Sequence, residues 1–274
     1  MEVDTLGTMY LEYWGFDRFP FDNVPDPDFF FMSRPHEEGL TRLIYAVERG
    51  KGCALLSGHI GCGKTTLSRV FMEKIAGGRF DIGVVTNPCA DSVDFLKDVL
   101  YQFGLSNGPR SKPDILQVLQ QKLIDNMDEG RETLLIVDEA QLLTDETLEE
   151  IRLLLNFQLS RRFLLMVFLI GQPEIIDKIR RNRPLEQRIA IKYSLRPFNL
   201  DETRKYIFFR QKKAGGNGNL FSKEAIEAVY DHSEGLPRKI NHLCDLAFLI
   251  GFGSKQKIIH SQIIKEIIND GTVF

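Results

Sequence analysis

Cysteine is scarce in this sequence, tryptophan occurs once, charge of either sign is balanced, and long hydrophobic runs are missing. The four cysteines, Cys53, Cys62, Cys89 and Cys244, fit neither the spacing of a zinc site nor a C-x-x-C redox pair. They read as reduced thiols of a cytoplasmic protein. The apolar stretch 163–170 falls short of the ~18 residues that a membrane span requires, so it reads as a buried strand. The start, Met1-Glu2-Val3-Asp4, has no basic segment leading into an apolar core and does not read as a signal peptide. Lys+Arg total 35 against 38 Asp+Glu, a net charge of −3, which gives no global push toward nucleic acid or membrane. What remains is an ordinary globular composition, 43% hydrophobic and 27% charged over 274 residues. That length suits one large α/β domain with a small satellite.

The opening 35 residues interleave Tyr10, Trp14, Phe16, Phe19, Phe21, Phe29, Phe30 and Phe31 with Pro20, Pro25 and Pro27. Proline at this density argues against a helix, and so many aromatics argue against disorder. Residues 1–35 are therefore expected to form an ordered arm packed on the domain that follows. Ser33 and Pro35 then open a helix with the stripe Leu40, Leu43, Ile44 and Val47, ending near Gly50. Across 36–197, apolar strands alternate with helices. Strands are expected at 53–57, 83–86, 133–138, 163–170 and 189–195, with helices at 65–75, from about 92 and 113, at 145–157 and at 174–180. Continuous apolar strands in that alternation indicate a parallel sheet covered on both faces. Beyond Pro197 only helices are evident, at 201–214, 222–232, 237–252 and 260–269, with 215–219 as a loop. Residues 198–274 read as a small helical lid.

Gly58-His59-Ile60-Gly61-Cys62-Gly63-Lys64-Thr65 matches G-x-x-x-x-G-K-[ST]. Glycines let backbone N–H groups turn inward around a phosphate, and the helix that follows points its positive end at the same place. Lys64 is expected on the β- and γ-phosphates, Thr65 on magnesium, and Thr66 beside them. A strand before and a helix after supply the required context. A second buried strand, Leu134-Leu135-Ile136-Val137, ends in Asp138-Glu139. Asp138 is read as the second magnesium ligand and Glu139 as the general base for the attacking water. Gln172, after the 163–170 strand, is placed for the γ-phosphate or the water, with a helix cap as its structural alternative. Arg238, in Gly235-Leu236-Pro237-Arg238, is placed for the phosphates, with a surface charge as its alternative.

Taken in order, these segments resemble an AAA+ ATPase. The closer resemblance is to the ATPase domain of ExeA/GspA-type secretion ATPases. It is carried by Tyr10-Leu11-Glu12-Tyr13-Trp14-Gly15-Phe16, Pro25-Asp26-Pro27, Asp138-Glu139-Ala140-Gln141, Gly171-Gln172-Pro173-Glu174, Leu185-Glu186-Gln187-Arg188-Ile189 and Gly235-Leu236-Pro237-Arg238. The same group includes transposition regulators of the TnsC and MuB type. The resemblance implies an α/β P-loop NTPase fold with a helical lid, ATP and Mg2+ as ligands, and sensor roles for Gln172 and Arg238. It also implies a ring or filament of copies, hexameric among the options, with ATP between them and an arginine finger crossing to the neighbour. Arg188 is the first candidate finger, then Arg183 and Arg181. The segment 31–38 is implied as a wall of the adenine pocket. His59 stands where such proteins often carry an acid. Full-length secretion members continue into a membrane span and a peptidoglycan-binding part, neither of which follows the lid here.

Three functions stay open on these residues: an ATPase of secretion, pilus or envelope machinery; a DNA-bound ATPase that recruits a transposase; and a nucleotide-gated scaffold. Glu139 argues against a pure binder, which has no need of a base. For DNA, the basic residues Lys205, Arg210, Lys212 and Lys213 on the first lid helix and Arg161 and Arg162 before a strand are the candidates. Cys62, inside the phosphate loop, is expected to block nucleotide entry when modified.

Overall fold

A computed structural model describes residues 3–23, 26–105, 111–159, 162–216, 218 and 220–271. Pro25, Arg161, Asn217 and Asn219 of the segments above lie outside the described residues. In chain order, the elements begin with α1 (Val3–Trp14), α2 (Arg34–Glu48), β1 (Cys53–Gly58), α3 (Lys64–Ile75), β2 (Phe80–Val85), α4 (Ser92–Gln102), α5 (Lys112–Asp128) and β3 (Glu132–Val137). They continue with α6 (Asp145–Leu154), β4 (Gln158–Leu159), β5 (Arg162–Phe163), β6 (Leu165–Gly171), α7 (Glu174–Arg181), α8 (Arg183–Glu186) and β7 (Ile189–Leu195). The last four are α9 (Leu200–Lys213), α10 (Lys223–Ser233), α11 (Pro237–Gly253) and α12 (Ser261–Asn269). The chain divides into two units. One comprises Arg34–His59 and Leu67–Leu195, the other Met1–Ser33, Ile60–Thr66 and Arg196–Phe274.

The first unit is built on a five-stranded sheet of order β2-β3-β6-β1-β7. Every pairing in it is parallel. The central strands β1 and β6 are buried along their whole length, which is why they read as unbroken apolar runs rather than as alternation. Alternate residues face opposite sides. Leu55, Leu135, Val137, Val167 and Leu169 join one core with Phe95, Leu96, Ile115, Leu119, Leu148 and Ile151 of α4, α5 and α6. On α3, Phe71 packs against Phe168 of β6 with ring centroids 5.5 Å apart. Helix starts follow local chemistry. The side chains of Asp91, Ser111 and Thr144 accept from the first free amides of α4, α5 and α6, offsetting donors that no helical carbonyl reaches. The expected strand 163–170 proves to be two elements. Phe163 closes the β4–β5 hairpin with Gln158, and β6 begins at Leu165. After α7 the chain turns directly into α8, whose start is capped by the Asn182 side chain accepting from Leu185 N.

The second unit corrects one expectation for the N-terminal arm. Residues Val3–Trp14 form a helix, because all the prolines of the arm lie beyond it, at 20, 25 and 27. The arm also shares its core with the helical unit. Tyr10, Trp14, Phe16, Phe21 and Phe29 share a core with Tyr206, Phe221, Ile240, Leu243, Phe248 and Ile264. Trp14 Nε1 donates to Phe248 O at 3.2 Å, so the indole buries its ring and satisfies its one donor. A side chain at position 251 would press into Trp14 and Ile259, which accounts for a glycine inside α11. α9 opens with a capping box between Asn199 and Glu202, an arrangement that satisfies two free donors at once. A single bridge pairs Phe221 with Ile259. Among the described residues no helix is long and apolar enough to cross a membrane.

Candidate nucleotide site

Parallel strands put their carboxyl ends on the same edge of a sheet, and here that edge gathers the chemistry. Register fixes the alignment: Leu55 of β1 and Val137 of β3 both pair with Leu169 of β6. Gly58 at the end of β1, Asp138 just after β3 and Gln172 just after β6 therefore lie along one edge, with β6 between β1 and β3. Gly58 has no room for a side chain, since a Cβ would sit 2.8 Å from Leu195 O.

The loop after β1 continues in the second unit. Gly61 and Gly63 take φ of +79° and +92°, a region that side chains strain to enter. Cys62 is buried, and Lys64, the first residue of α3, is buried at 7% exposure. His59, Ile60 and Thr65 are exposed, and Thr66 is half-buried. The start of α11 lies against this loop. Arg238 N donates to Gly61 O at 3.4 Å, and a Cβ on Gly61 would be 2.7 Å from the Arg238 Cβ. Arg238 itself is exposed, so its backbone is tied to the loop while its side chain stays in solvent. The burial of Cys62 runs against its expected modification: a thiol enclosed by the loop is shielded from reagents, and Cys89 is the exposed one.

At the end of β3, Asp138 N donates to Val85 O, prolonging the β2–β3 ladder, and Asp138 Oδ1 accepts from Glu139 N at 2.9 Å. Glu139 is left-handed, with φ of +50°, a strain of about 1–3 kcal/mol in a non-glycine residue. Its carboxylate is held from two sides. Gln141 Nε2 donates to Glu139 Oε2 at 2.5 Å, and Gln172 Nε2 donates to the same oxygen at 3.5 Å. The Gln172 side chain thus lies toward Glu139, and the N-cap of α7 is Pro173 with no side-chain bond, which disfavours the helix-cap reading. Gln141 was not among the site residues expected from sequence. A glutamine two places beyond an acidic pair carries no periodic signal, and only its inclusion in the Asp-Glu-Ala-Gln segment marked it.

Two groups of expected residues lie elsewhere. Arg188 precedes β7 and so sits at the opposite edge of the sheet. Its guanidinium donates to Leu155 O at 3.1 Å and Asn156 Oδ1 at 2.6 Å. Arg181 and Arg183 are exposed. Among the basic residues considered for DNA, Arg210 is buried, donating to the carbonyls of Pro20 and Asp22 and stacking 4.5 Å from the Phe29 ring. It serves the core of the helical unit and is corrected from the basic strip. Lys205 pairs with Asp201 at 2.7 Å, and Arg162 with Glu132 at 3.3 Å.

A glycine-bearing loop leads into α3, and an acid follows the end of β3. Residues 47–179 match the family model described as AAA domain, and the chain has the α/β fold of an AAA+ P-loop NTPase with a helical C-terminal region. The Aeropyrum pernix ORC2 protein has this fold too: TM-score 0.68 at 18% identity, covering 93% of this chain and 72% of that one.

In sequence the chain resembles general secretion pathway protein A of Aeromonas hydrophila. It is 34% identical to it over 259 residues, 93% of this chain and 47% of that protein. It is also similar to ATP-dependent target DNA activator B of Escherichia phage Mu, 28% identical over 131 residues, 48% of this chain and 39% of that protein. The chain spans about half the length, or less, of these curated relatives.

Proposed function

We propose that this chain is a magnesium-dependent ATPase of the cytoplasm that assembles around ATP and uses turnover to build or remodel secretion, pilus or envelope machinery. The observation that carries the reading is the shared strand edge, where Glu139 is held by Gln141 and Gln172 beside Asp138. Gly58, His59, Ile60, Gly61, Cys62 and Gly63 would cradle the phosphates with backbone amides, and Lys64 and Thr66 would complete the cradle. The fit rests on the left-handed glycines, which open the loop, and on the exposed face of Thr65. Thr65 and Asp138 would hold the magnesium, which neutralises charge on the β- and γ-phosphates. Glu139 takes the proton of the attacking water as the water oxygen bonds to the γ-phosphorus and the bridge to ADP breaks. Arg238 answers the phosphates from α11. Arg188, at the far edge of its own sheet, would serve a second copy's ATP, with Arg183 and Arg181 as the other candidates.

Turnover and ATP binding of three proteins test this. Glu139→Gln is expected to keep ATP binding and lose turnover by about 10²–10⁴-fold, and Lys64→Ala to lose both. Hydrolysis by Glu139→Gln at the parental rate would remove the base from the scheme.

The similarity to the target DNA activator favours one alternative, a DNA-bound ATPase that recruits a transposase. DNA binding titrated with salt in the presence of ATP separates the two, because each phosphate contact steepens the loss of affinity. Weak binding that is flat in salt leaves the secretion-type reading or a nucleotide-gated scaffold. The scaffold predicts assembly with ATP that is unaffected by Glu139→Gln.

A further inference from the structure

We infer that Gln141 is a positioning residue that orients the base Glu139 and locks it to the end of β6. The inference rests on the ATPase reading above and extends it to a residue with no assigned role.

The orientation of the Gln141 amide follows from its partners. Gln172 N donates to Gln141 Oε1 at 2.9 Å. A backbone N–H can only donate, so the oxygen of the carboxamide must face it, and the NH2 must face Glu139. That NH2 meets a carboxylate oxygen at 2.5 Å, the geometry of a hydrogen bond strengthened by charge. One side chain therefore spans from the β6 end to the base. Its own backbone is fixed as well: Lys178 of α7 donates to Gln141 O at 2.6 Å and to Leu143 O at 2.7 Å. Gly171 makes the approach possible, because a Cβ there would come within 3.0 Å of Gln141 Oε1 and 3.2 Å of Gln141 N. Glu139 has the left-handed backbone already described, so an ordinary extended conformation would aim its carboxylate elsewhere. The amide holds it in the strained one.

A base held this way is aimed, and it moves when the end of β6 moves. Loss of the amide should then lower the rate of the chemical step and leave nucleotide affinity alone.

The experiment measures ATP turnover of the full chain against ATP concentration, with binding of a fluorescent ATP analogue measured separately. Gln141→Ala is expected to reduce kcat about 10- to 100-fold, as misplacement of a reacting group does, with KM and analogue affinity unchanged. Gln141→Met, which keeps the length of the side chain and loses the amide, is expected to do the same. Gly171→Ala, which crowds the same amide, is expected to lower kcat in the same direction. Parental kcat in Gln141→Ala or Gln141→Met, or a loss of analogue affinity that matches the loss of turnover, overturns the inference while leaving the ATPase reading intact. No turnover by the parent chain overturns the ATPase reading and this inference with it. Should Gln141→Ala fail to fold, kcat and KM of Gln141→Met decide.

Discussion

The two units bury different kinds of side chain, and they assemble them over different distances. The α/β unit is cored by leucine, isoleucine and valine, drawn from strands and from the helices that connect them. The helical unit adds a cluster of aromatics to its aliphatic residues, and the two halves of that cluster come from opposite ends of the sequence. Tyr10, Trp14, Phe16, Phe21 and Phe29 meet Tyr206, Phe221 and Phe248. The first unit could be recognised segment by segment. The second exists only once residues some 200 positions apart have met, as in the Trp14–Phe248 contact. The difference bears on the candidate site because α11, whose start lies against the glycine loop, belongs to this core. The N-terminal arm is thus part of what holds Arg238 in place.

Three substitutions or probes can break that contrast. The largest effect is expected from Trp14→Ala. Truncating a buried indole costs about 3–5 kcal/mol, and here it also removes the bond from the indole N–H to Phe248 O. Hydrogen exchange under native conditions should show α9 to α12 losing protection while β1, β3 and β6 keep theirs. Equal losses in both units would mean that the two cores are not separable.

A smaller effect is expected from Arg210→Ala, which removes charged hydrogen bonds to Pro20 O and Asp22 O worth about 1.5–3 kcal/mol. Urea unfolding should report the loss. Arg210→Lys should not restore it, since an ammonium lacks the flat fork that spans two carbonyls. The salt dependence of any DNA binding should be unchanged in both variants. A shallower salt slope would return Arg210 to the basic strip and break its assignment to the core.

The mildest perturbation is thiol labelling of the native chain. Cys89 is exposed and should react first. Cys53, in β1, is pushed up to about 12 by burial, and burial raises Cys244 in the helical unit as well. Neither presents a thiolate at neutral pH. Cys62 is enclosed by its loop. Mass spectrometry after brief alkylation at pH 8 should find label on Cys89 alone. Early label on Cys244 would show the helical unit opening before the sheet does.

The strands of the α/β unit were legible because a sheet covered on both faces demands unbroken apolar runs, as in Leu134–Val137. The glycine loop was legible because few backbones other than glycine reach the φ values of Gly61 and Gly63. The helix Val3–Trp14 was obscured by prolines that lie wholly beyond it. The β4–β5 hairpin was hidden because Phe163 reads as one more apolar residue of the strand that follows. Arg210 looked like a surface charge because helical periodicity alone does not tell a buried guanidinium from a solvated one. Its partners are carbonyls of the distant arm.

By itself the sequence determined the alternation of strand and helix, the glycine-bearing loop and the acidic strand end, since each depends on residues close together in the chain. Tertiary structure alone decided that Gln141 reaches Glu139 and Gln172, that Arg188 faces the other edge, and that the arm completes the helical core. Those outcomes depend on strand order and on the meeting of distant surfaces, and local pattern carries no information about either.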